Sequence, residues 1–231
     1  MLVLVGGAGC AKGRLAHLRA RNREKGKTEK DCARHRAENR TPSSCVPQGG
    51  GDARDRAHQR QNEVMEELAL QQLSALARVS DQLEEAGIEY WLFGGWAVDF
   101  YAGSFTRAHD DLDMAVWLGD LPRIAGLLQD DGWRHAPFDD EDGGTGYERG
   151  VVRLELTYLV RAGGGIFTPL RDGQAAWSEE ALANDVGELR GVRSRLIGLA
   201  PLMRGKASPR GDPEEAAKDR ADFGQLSRLR T

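Results

Sequence analysis

The sequence GGWAVDFYAGSFTRAHDDLDM, residues 94–114, contains the features from which the fold and the site can be predicted. The run IEYWLF at 88–93 precedes it and is rich in β-branched and aromatic residues, which is typical of a strand. Gly94 and Gly95 end this run, and the sequence WAVDFYAG that follows predicts a short helix. In DLDMAVWL, residues 111–118, apolar side chains occupy alternate positions, as expected for a second strand. The stretch therefore predicts a strand, a glycine turn, a helix and a strand.

Three carboxylates on the predicted strands form a candidate metal site. Asp111 and Asp113 project from the same face of one strand, ~7 Å apart along the chain by the strand rise. Adjacent like charges destabilise a sheet unless a cation lies between them. Glu155 lies on the polar face of a second alternating strand, VVRLELTYLV at 151–160, and can reach the same point. Because converging carboxylates suit Mg²⁺, these three residues are the predicted metal ligands.

Gly94 and Gly95 form a candidate phosphate-binding turn. Because glycine has no side chain, the backbone N–H groups of such a turn and the next helix N-terminus can contact a phosphate. Magnesium keeps coordination positions open for phosphate oxygens, and two such ions can stabilise an in-line phosphoryl displacement. A glycine pair alone is more often a tight turn, and Asp-x-Asp alone is often a solvated strand face. Both motifs in this order favour nucleotide chemistry.

The sequence GGWAVD followed by TRAHDDLD resembles the aminoglycoside and lincosamide nucleotidyltransferases, a branch of the DNA polymerase β-like nucleotidyltransferase superfamily. Gly94-Gly95 match the superfamily's glycine pair, and Asp111 and Asp113 match its Asp-x-Asp pair, with fifteen residues between the motifs. The resemblance covers residues 63–231 and continues through KDRADFGQL near the C-terminus. Four further residues indicate the antibiotic-modifying branch: Trp96, Asp99, Arg107 and His109.

This resemblance implies a mixed α/β (α+β) fold, a small twisted sheet with flanking helices and a small C-terminal subdomain. It also implies Mg²⁺-dependent transfer of a nucleoside monophosphate from a nucleoside triphosphate, expected to be ATP, to a hydroxyl group, with release of pyrophosphate. Asp111 and Asp113 would bind the metal ions, of which two are expected. Glu155 aligns where the family more commonly has aspartate, and it would complete a metal site or act as the general base.

Two cations are predicted to bind the nucleotide. Arg107 can contact triphosphate oxygens with two donors, or it can simply pair with nearby acids. Lys206 can neutralise the leaving pyrophosphate, and Lys218 is a second candidate for that role. For Lys218, an exposed charge on a helix is the favoured interpretation.

Three other motif residues have a structural and a functional interpretation. Trp96 can stack on a base, although an aromatic residue at a helix start more often packs in the core. Asp99 is expected to hydrogen-bond the glycine turn. His109 either orients Asp111 beside the metal or lies on the surface.

The charge of the chain is unevenly distributed, although the net charge is only -4. Residues 1–62 contain 14 Lys and Arg against 6 Asp and Glu, whereas residues 63–231 contain 18 against 30. The acidic second part argues against a nucleic-acid partner and is compatible with a cationic small-molecule acceptor. The acidic run DDED at 139–142 can attract such an acceptor, or it can simply be solvated.

Composition and periodicity predict a division of the chain into three parts. Residues 1–62 are predicted to be a basic, disordered tail because large apolar residues are scarce beyond the first few positions. A nucleotidyltransferase core is predicted at 63–165 and a mainly helical C-terminal subdomain at 166–231. Hydrophobic periodicity predicts helices at 63–86, 121–128, 199–207 and 212–229, a hairpin at 132–150 and a strand at 191–198.

The expected location is the cytoplasm. No apolar run approaches the ~20 residues that a membrane helix needs, so no membrane partner is expected. All three cysteines lie in the predicted tail, which leaves a cysteine-free domain suited to a reducing compartment.

The sequence thus predicts a nucleotidyltransferase that modifies an aminoglycoside or a lincosamide. One alternative is a nucleotidyltransferase of the toxin-antitoxin type that modifies a protein or RNA, against which the acidic charge argues. The other is a nucleotide-binding relative that has lost catalysis because Glu155 replaces the commoner aspartate.

Overall fold

The computed structural model describes residues 52–137 and 142–229. The predicted tail up to residue 51 and the acidic run at 139–141 lie outside the described residues. Helix α1 (Asp52–Glu85) begins eleven residues before the predicted start at residue 63. The added residues are mainly Asp, Ala, Arg and Gln, which supply no apolar face, so periodicity does not detect this part of the helix.

Helix α1 packs on the sheet through apolar residues that recur at helical spacing. Leu76, Val79 and Leu83 are at most 1% exposed and lie against the sheet. The helix ends at Gly87, whose φ of 66° is readily adopted only by glycine. The Ile88 N–H then donates to the Leu83 carbonyl at 2.8 Å, which closes the last turn.

After α1, strands and helices first alternate, and a run of strands then precedes the two C-terminal helices. In chain order they are β1 (Tyr90–Phe93), α2 (Gly94–Ala102), β2 (Leu112–Trp117), α3 (Leu121–Asp130), β3 (Arg134–His135), β4 (Gly144–Arg149), β5 (Val152–Ala162), β6 (Gly165–Leu170), β7 (Gly173–Trp177), β8 (Asp185–Leu189), β9 (Val192–Leu196), α4 (Leu199–Ala207) and α5 (Pro213–Arg228).

Within the described residues these strands form one nine-stranded mixed sheet. Seven of them follow the order β3-β4-β5-β2-β1-β9-β8. β2 is parallel to β5 and β1 is parallel to β9, whereas the other neighbours are antiparallel. β6 and β7 extend from the second half of the long strand β5. The mixed α/β fold predicted from the sequence is confirmed.

The core lies in two layers on opposite faces of the sheet. One layer packs α1 and α3 against alternate strand residues such as Leu92, Met114 and Leu154. The other packs α4 and α5 against the intervening positions, among them Trp91 and Ala115. Asp113 and Glu155 also occupy intervening positions, so their side chains belong to the face that α4 and α5 cover.

Residues 166–231 contain four strands or parts of strands besides the two predicted helices. β9 matches the predicted strand at 191–198, and α4 and α5 match the predicted helices. β6, β7 and β8 were not predicted, because their mixed polar and glycine-containing sequences show no clear alternation. Ladder hydrogen bonds join β6 to β5 and β9 to β1, so the sheet crosses the predicted domain boundary at residue 165.

Helix α1 is 34 residues long, which exceeds the thickness of a bilayer, but charged residues recur along its length. Across the part of the chain that the structure describes, no helix is long and apolar enough to span a membrane.

Candidate active site

The three predicted carboxylates come together at one point of the sheet. Asp113 on β2 lies directly opposite Glu155 on the parallel strand β5, and Asp111 immediately precedes β2. One oxygen from each of Asp111, Asp113 and Glu155 lies within 4.8 Å of the others. Asp113 is buried, whereas the other two are partly exposed. Three converging carboxylate oxygens with partial access to solvent suit a hard divalent cation such as Mg²⁺.

Gly94 brings the start of α2 against this carboxylate cluster. Its neighbour Phe93 pairs with Asp113 across the antiparallel strands β1 and β2. Gly94 has a φ of 69°, and a Cβ atom at this position would overlap the Asp113 carboxylate, 2.8 Å from its Cγ. Glycine is therefore required here by conformation and by space. The close approach also places the N-terminal end of a helix beside the cluster, as a phosphate cradle requires.

Gly95 makes room for two side chains from the loop that precedes β2. A Cβ atom on Gly95 would lie 2.6 Å from His109 Cε1 and 2.7 Å from Arg107 Nη2. Both loop residues thus pack directly on the glycine turn. The sequence resemblance included both residues, but it did not predict this contact.

A buried hydrogen-bond network connects α2 to that loop. Asp99 is fully buried; its carboxylate accepts from the Thr106 N–H at 3.0 Å, from the Thr106 hydroxyl, and lies 2.7 Å from His109 Nε2. His109 is buried, and its carbonyl oxygen accepts from the Gln72 amide at 3.0 Å. Asp99 was expected to bond the glycine turn, and His109 to orient Asp111 or to lie exposed. In the structure the two side chains instead bond each other, and Asp99 also bonds Thr106, so both residues hold the loop in place.

Arg107 is held by the C-terminal helix. Its Nε and Nη2 atoms donate to the two carboxylate oxygens of Asp222 on α5, at 2.9 and 3.0 Å, and Nη1 donates to the Ala108 carbonyl. Burial lowers the pKa of the guanidinium, but the bonds to Asp222 outweigh it, so the net pKa is raised. The pairing with an acid that was considered from the sequence is present, and the guanidinium also reaches the glycine turn.

Lys206 on α4 belongs to the same group of buried charges. Its Nζ lies 2.7 Å from Asp222 and 3.0 Å from Asp219, which precedes Asp222 by nearly one helical turn. Burial raises the pKa of Asp222, but the bonds from Arg107 and Lys206 outweigh burial and leave it below its ordinary value. Arg210 forms an ion pair with the other carboxylate oxygen of Asp219.

Lys218 lies at the edge of the site on the exposed side of α5. Its ammonium is 3.0 Å from Asp110 and 3.0 Å from Glu215. Burial lowers its pKa, but the bonds to these two acids raise it by more. With 26% of its side chain exposed and these two ion pairs, Lys218 is only partly the exposed helix charge that the sequence favoured.

Trp96 packs in the core. It is 1% exposed, and its ring meets Phe105 edge to face at 5.8 Å and lies 5.2 Å from His109. The core interpretation of Trp96 therefore agrees with the structure, and the indole supports the loop rather than facing solvent.

Sequence reasoning missed the partners on α5. Asp219 and Asp222 stand three apart in KDRADFGQL, a spacing that places them on one helix face. Their burial, at 3% and 1% exposed, is the signal of a structural or functional role, since unpaired buried carboxylates are costly. Sequence alone does not show that this face turns inward, because the helix is charged on every side.

A strand, a glycine turn, a helix and a second strand, with three carboxylates beside the turn, define the class of the protein. This fold and this carboxylate cluster agree with the nucleotidyltransferase that the sequence resemblance predicts.

The family model of aminoglycoside-2''-adenylyltransferase matches residues 75–226, and the chain belongs to this family. A stretch of 60 residues is 32% identical to the 2''-aminoglycoside nucleotidyltransferases of Escherichia coli and Klebsiella pneumoniae. That alignment covers 25% of this chain and 34% of each relative, so the match spans about a third of their length.

Two solved structures share the fold. The lincomycin-bound lincosamide antibiotic adenylyltransferase LnuA is similar with a TM-score of 0.52 and 17% identity, over 64% of this chain and 92% of that chain. The antibiotic-resistance factor ANT(2'')-Ia is similar with a TM-score of 0.52 and 19% identity, over 70% and 90% of the two chains. At these identities the likeness concerns the fold alone.

Proposed function

We propose that the protein is a Mg²⁺-dependent adenylyltransferase that transfers AMP from ATP to a hydroxyl group of an aminoglycoside. The observation that carries this proposal is the convergence of Asp111, Asp113 and Glu155 within 4.8 Å, directly beside the helix that begins at Gly94. Family membership supports the aminoglycoside over other acceptors, and so does the acidic balance of residues 63–231. A triphosphate donor is also consistent with the predicted cytoplasmic location.

The residues fit the metal ions that this chemistry requires. Asp111, Asp113 and Glu155 supply hard oxygen donors, and the missing side chain at Gly94 lets the backbone of the turn lie directly against the Asp113 carboxylate. When bound, Mg²⁺ neutralises charge on the triphosphate and on the departing pyrophosphate.

The side chains around the cluster orient the reactants. Asp111 and Asp113 would hold the metal ion beside the triphosphate, and the backbone at Gly94-Gly95 binds phosphate oxygens. Arg107 and Lys206 supply positive charge to the triphosphate and to pyrophosphate. Arg153 donates to Glu155 at 3.1 Å, which fixes the orientation of that carboxylate.

In the proposed reaction the acceptor oxygen forms a bond to the α-phosphorus of ATP. The bond from this phosphorus to the bridging oxygen of the β-phosphate breaks, and pyrophosphate leaves on the opposite side. Glu155 accepts the proton of the attacking hydroxyl. AMP is thereby joined to the acceptor through a phosphodiester.

The test measures pyrophosphate release by the full chain with Mg²⁺ and each of the four nucleoside triphosphates, against panels of aminoglycosides and lincosamides. Asp111→Asn and Glu155→Gln are expected to lower turnover at least about 100-fold, equivalent to roughly 3 kcal/mol of transition-state stabilisation. The matched control is Asp130→Asn, which removes an exposed carboxylate at the end of α3 and should leave turnover unchanged.

Release that requires ATP and an aminoglycoside, and that fails in Asp111→Asn, would support the proposal in full. Pyrophosphate release with lincosamides alone would show that the acceptor is a lincosamide and not an aminoglycoside. Full activity in Asp111→Asn would contradict the metal assignment, and no release with any acceptor would contradict the proposed reaction.

A further inference from the structure

Asp222 is the residue that joins the C-terminal helix to the candidate nucleotide site. It lies on α5, far from the Gly94–Asp113 motif in sequence, and its side chain is 1% exposed. Both of its oxygens accept from Arg107, in the paired geometry that a guanidinium and a carboxylate favour. A buried carboxylate with this geometry fixes both the position and the plane of the guanidinium.

Arg107 retains one donor on Nη2, the atom that borders the glycine turn. A guanidinium has five N–H groups, of which two donate to Asp222 and one to the Ala108 carbonyl. Nη2 also lies 2.7 Å from where a Cβ atom of Gly95 would be, so it borders the turn directly. A phosphate held by that turn would therefore lie within reach of the same guanidinium.

Lys206 shares the Asp222 carboxylate with Arg107. Its Nζ is 2.7 Å from the oxygen that also accepts from Arg107 Nη2. One carboxylate thus brings the two cations together, and Asp219 also bonds Lys206. Without the carboxylate, the two cations would repel each other and Arg107, with 23% of its side chain exposed, would turn toward solvent.

We propose that Asp222 is a positioning residue for the nucleotide, which holds Arg107 against the Gly94-Gly95 turn, and Lys206 against the same carboxylate, to bind the triphosphate. This inference rests on the proposed function, because it assumes that the turn binds a triphosphate. It adds a partner on α5 whose role is to place the two cations rather than to touch the substrate.

The matched pair of variants is Asp222→Asn and Asp219→Asn. Both remove a buried carboxylate from α5 that bonds Lys206, but only Asp222 bonds Arg107. Asp222→Asn is expected to weaken ATP binding at least about 10-fold, the equivalent of one charge-assisted bond. Asp219→Asn is expected to weaken it less than about 3-fold, and neither variant should change the KM of the acceptor more than about 2-fold.

Binding of ATP with Mg²⁺ is measured by calorimetry on the full chain, and KM and kcat by pyrophosphate release. A double-mutant cycle with Arg107→Gln shows whether Asp222 acts through Arg107. In that background, Asp222→Asn should weaken ATP binding by less than about 2-fold. Thermal unfolding of each variant separates these effects from loss of the fold.

Equal losses of ATP affinity in Asp222→Asn and Asp219→Asn would overturn the inference, and so would full additivity with Arg107→Gln. If Asp222→Asn does not fold, Arg107→Lys tests the same contact, because an ammonium cannot donate two parallel bonds to the carboxylate. Unchanged ATP binding in Arg107→Lys would also overturn it. A wild-type chain that binds ATP without turnover would contradict only the proposed reaction, whereas one that binds no nucleotide would contradict both.

Discussion

At the scale of single residues, Gly94 determines how closely the turn can approach the carboxylates. Its φ of 69° lies in the left-handed region, and its Cα faces the Asp113 side chain. Gly87 has nearly the same backbone conformation, with a φ of 66°, but a Cβ atom there would meet nothing within 4 Å. Replacing each glycine by alanine therefore distinguishes the effect of backbone strain, present at both positions, from the effect of crowding Asp113, present only at Gly94.

Gly87→Ala is expected to lower the free energy of unfolding by about 1–2 kcal/mol, because alanine is forced into the left-handed region. Gly94→Ala is expected to lower it by more, because its Cβ atom would also overlap the Asp113 carboxylate. Only Gly94→Ala should also displace Asp113 and lower turnover about 100-fold, the loss that a displacement near 1 Å can cause. Urea unfolding and pyrophosphate release measure the two effects. Similar turnover in both variants would show that the approach of Gly94 to Asp113 is not needed for activity.

At the scale of elements, α2 and the loop before β2 act as one unit because Asp99 joins them. This carboxylate accepts from the Thr106 N–H and hydroxyl and bonds His109, which is 5% exposed. The same loop carries Arg107 and ends at Asp111, so its conformation sets the position of both residues. Both oxygens of Asp99 have partners on the loop, and these bonds hold the loop against α2.

Asp99→Ala is expected to lower the free energy of unfolding by about 2–4 kcal/mol, because it leaves buried groups of Thr106 and His109 without partners. Asp130→Ala is the control, since it removes an exposed carboxylate and should change stability by less than about 0.5 kcal/mol. Chemical denaturation measures both. A loss below about 1 kcal/mol for Asp99→Ala would contradict a structural role for the network.

At the scale of the whole molecule, ion pairs connect the C-terminal helix to the loop at the active site. Burial raises the pKa of Asp222, yet Arg107 and Lys206 lower it by more, so the folded pKa lies below the ordinary value of 3.8. A carboxyl whose pKa is depressed by folding stabilises the folded state above its unfolded pKa. That contribution is lost as the pH falls through the folded pKa.

The stability difference between the wild type and Asp222→Asn is therefore expected to be constant from pH 7 to about pH 5 and to shrink below the ordinary value of 3.8. Urea unfolding of both proteins between pH 7 and pH 3 measures this difference, and Asp130→Asn provides a matched variant without the buried pair. A difference that persists or grows in acid would contradict ion pairing at Asp222.

The local features of the site could be predicted from the sequence because they depend on neighbours in the chain. The Gly-Gly turn, the helix after it and the strand from Leu112 to Trp117 follow from composition and periodicity over a few residues. The helix Leu199–Ala207 and the strand Val192–Leu196 were predicted for the same reason. The start of α1 at Asp52 was not, since the sequence of residues 52–62 shows no apolar pattern.

The convergence of the carboxylates is a joint result of sequence and tertiary structure. Asp111 and Asp113 share a strand face by the alternation of side chains alone, whereas Glu155 reaches them only because β2 pairs with β5 in parallel register. Alternation placed Glu155 on a polar strand face from which it could reach the other two, and the resemblance to a family aligned it with the third carboxylate of the site.

The sequence by itself determined the motif, the mixed class of fold and the residue types that can hold a divalent cation. Tertiary structure alone decided that α5 turns Asp219 and Asp222 inward, that Asp222 binds Arg107, and that Asp99 holds the loop. These contacts join residues separated by up to 115 positions. Chain periodicity reports only which face of an element is apolar. Which distant elements come into contact depends on how the whole sheet and its helices pack, because the packing of the core determines which elements lie next to each other.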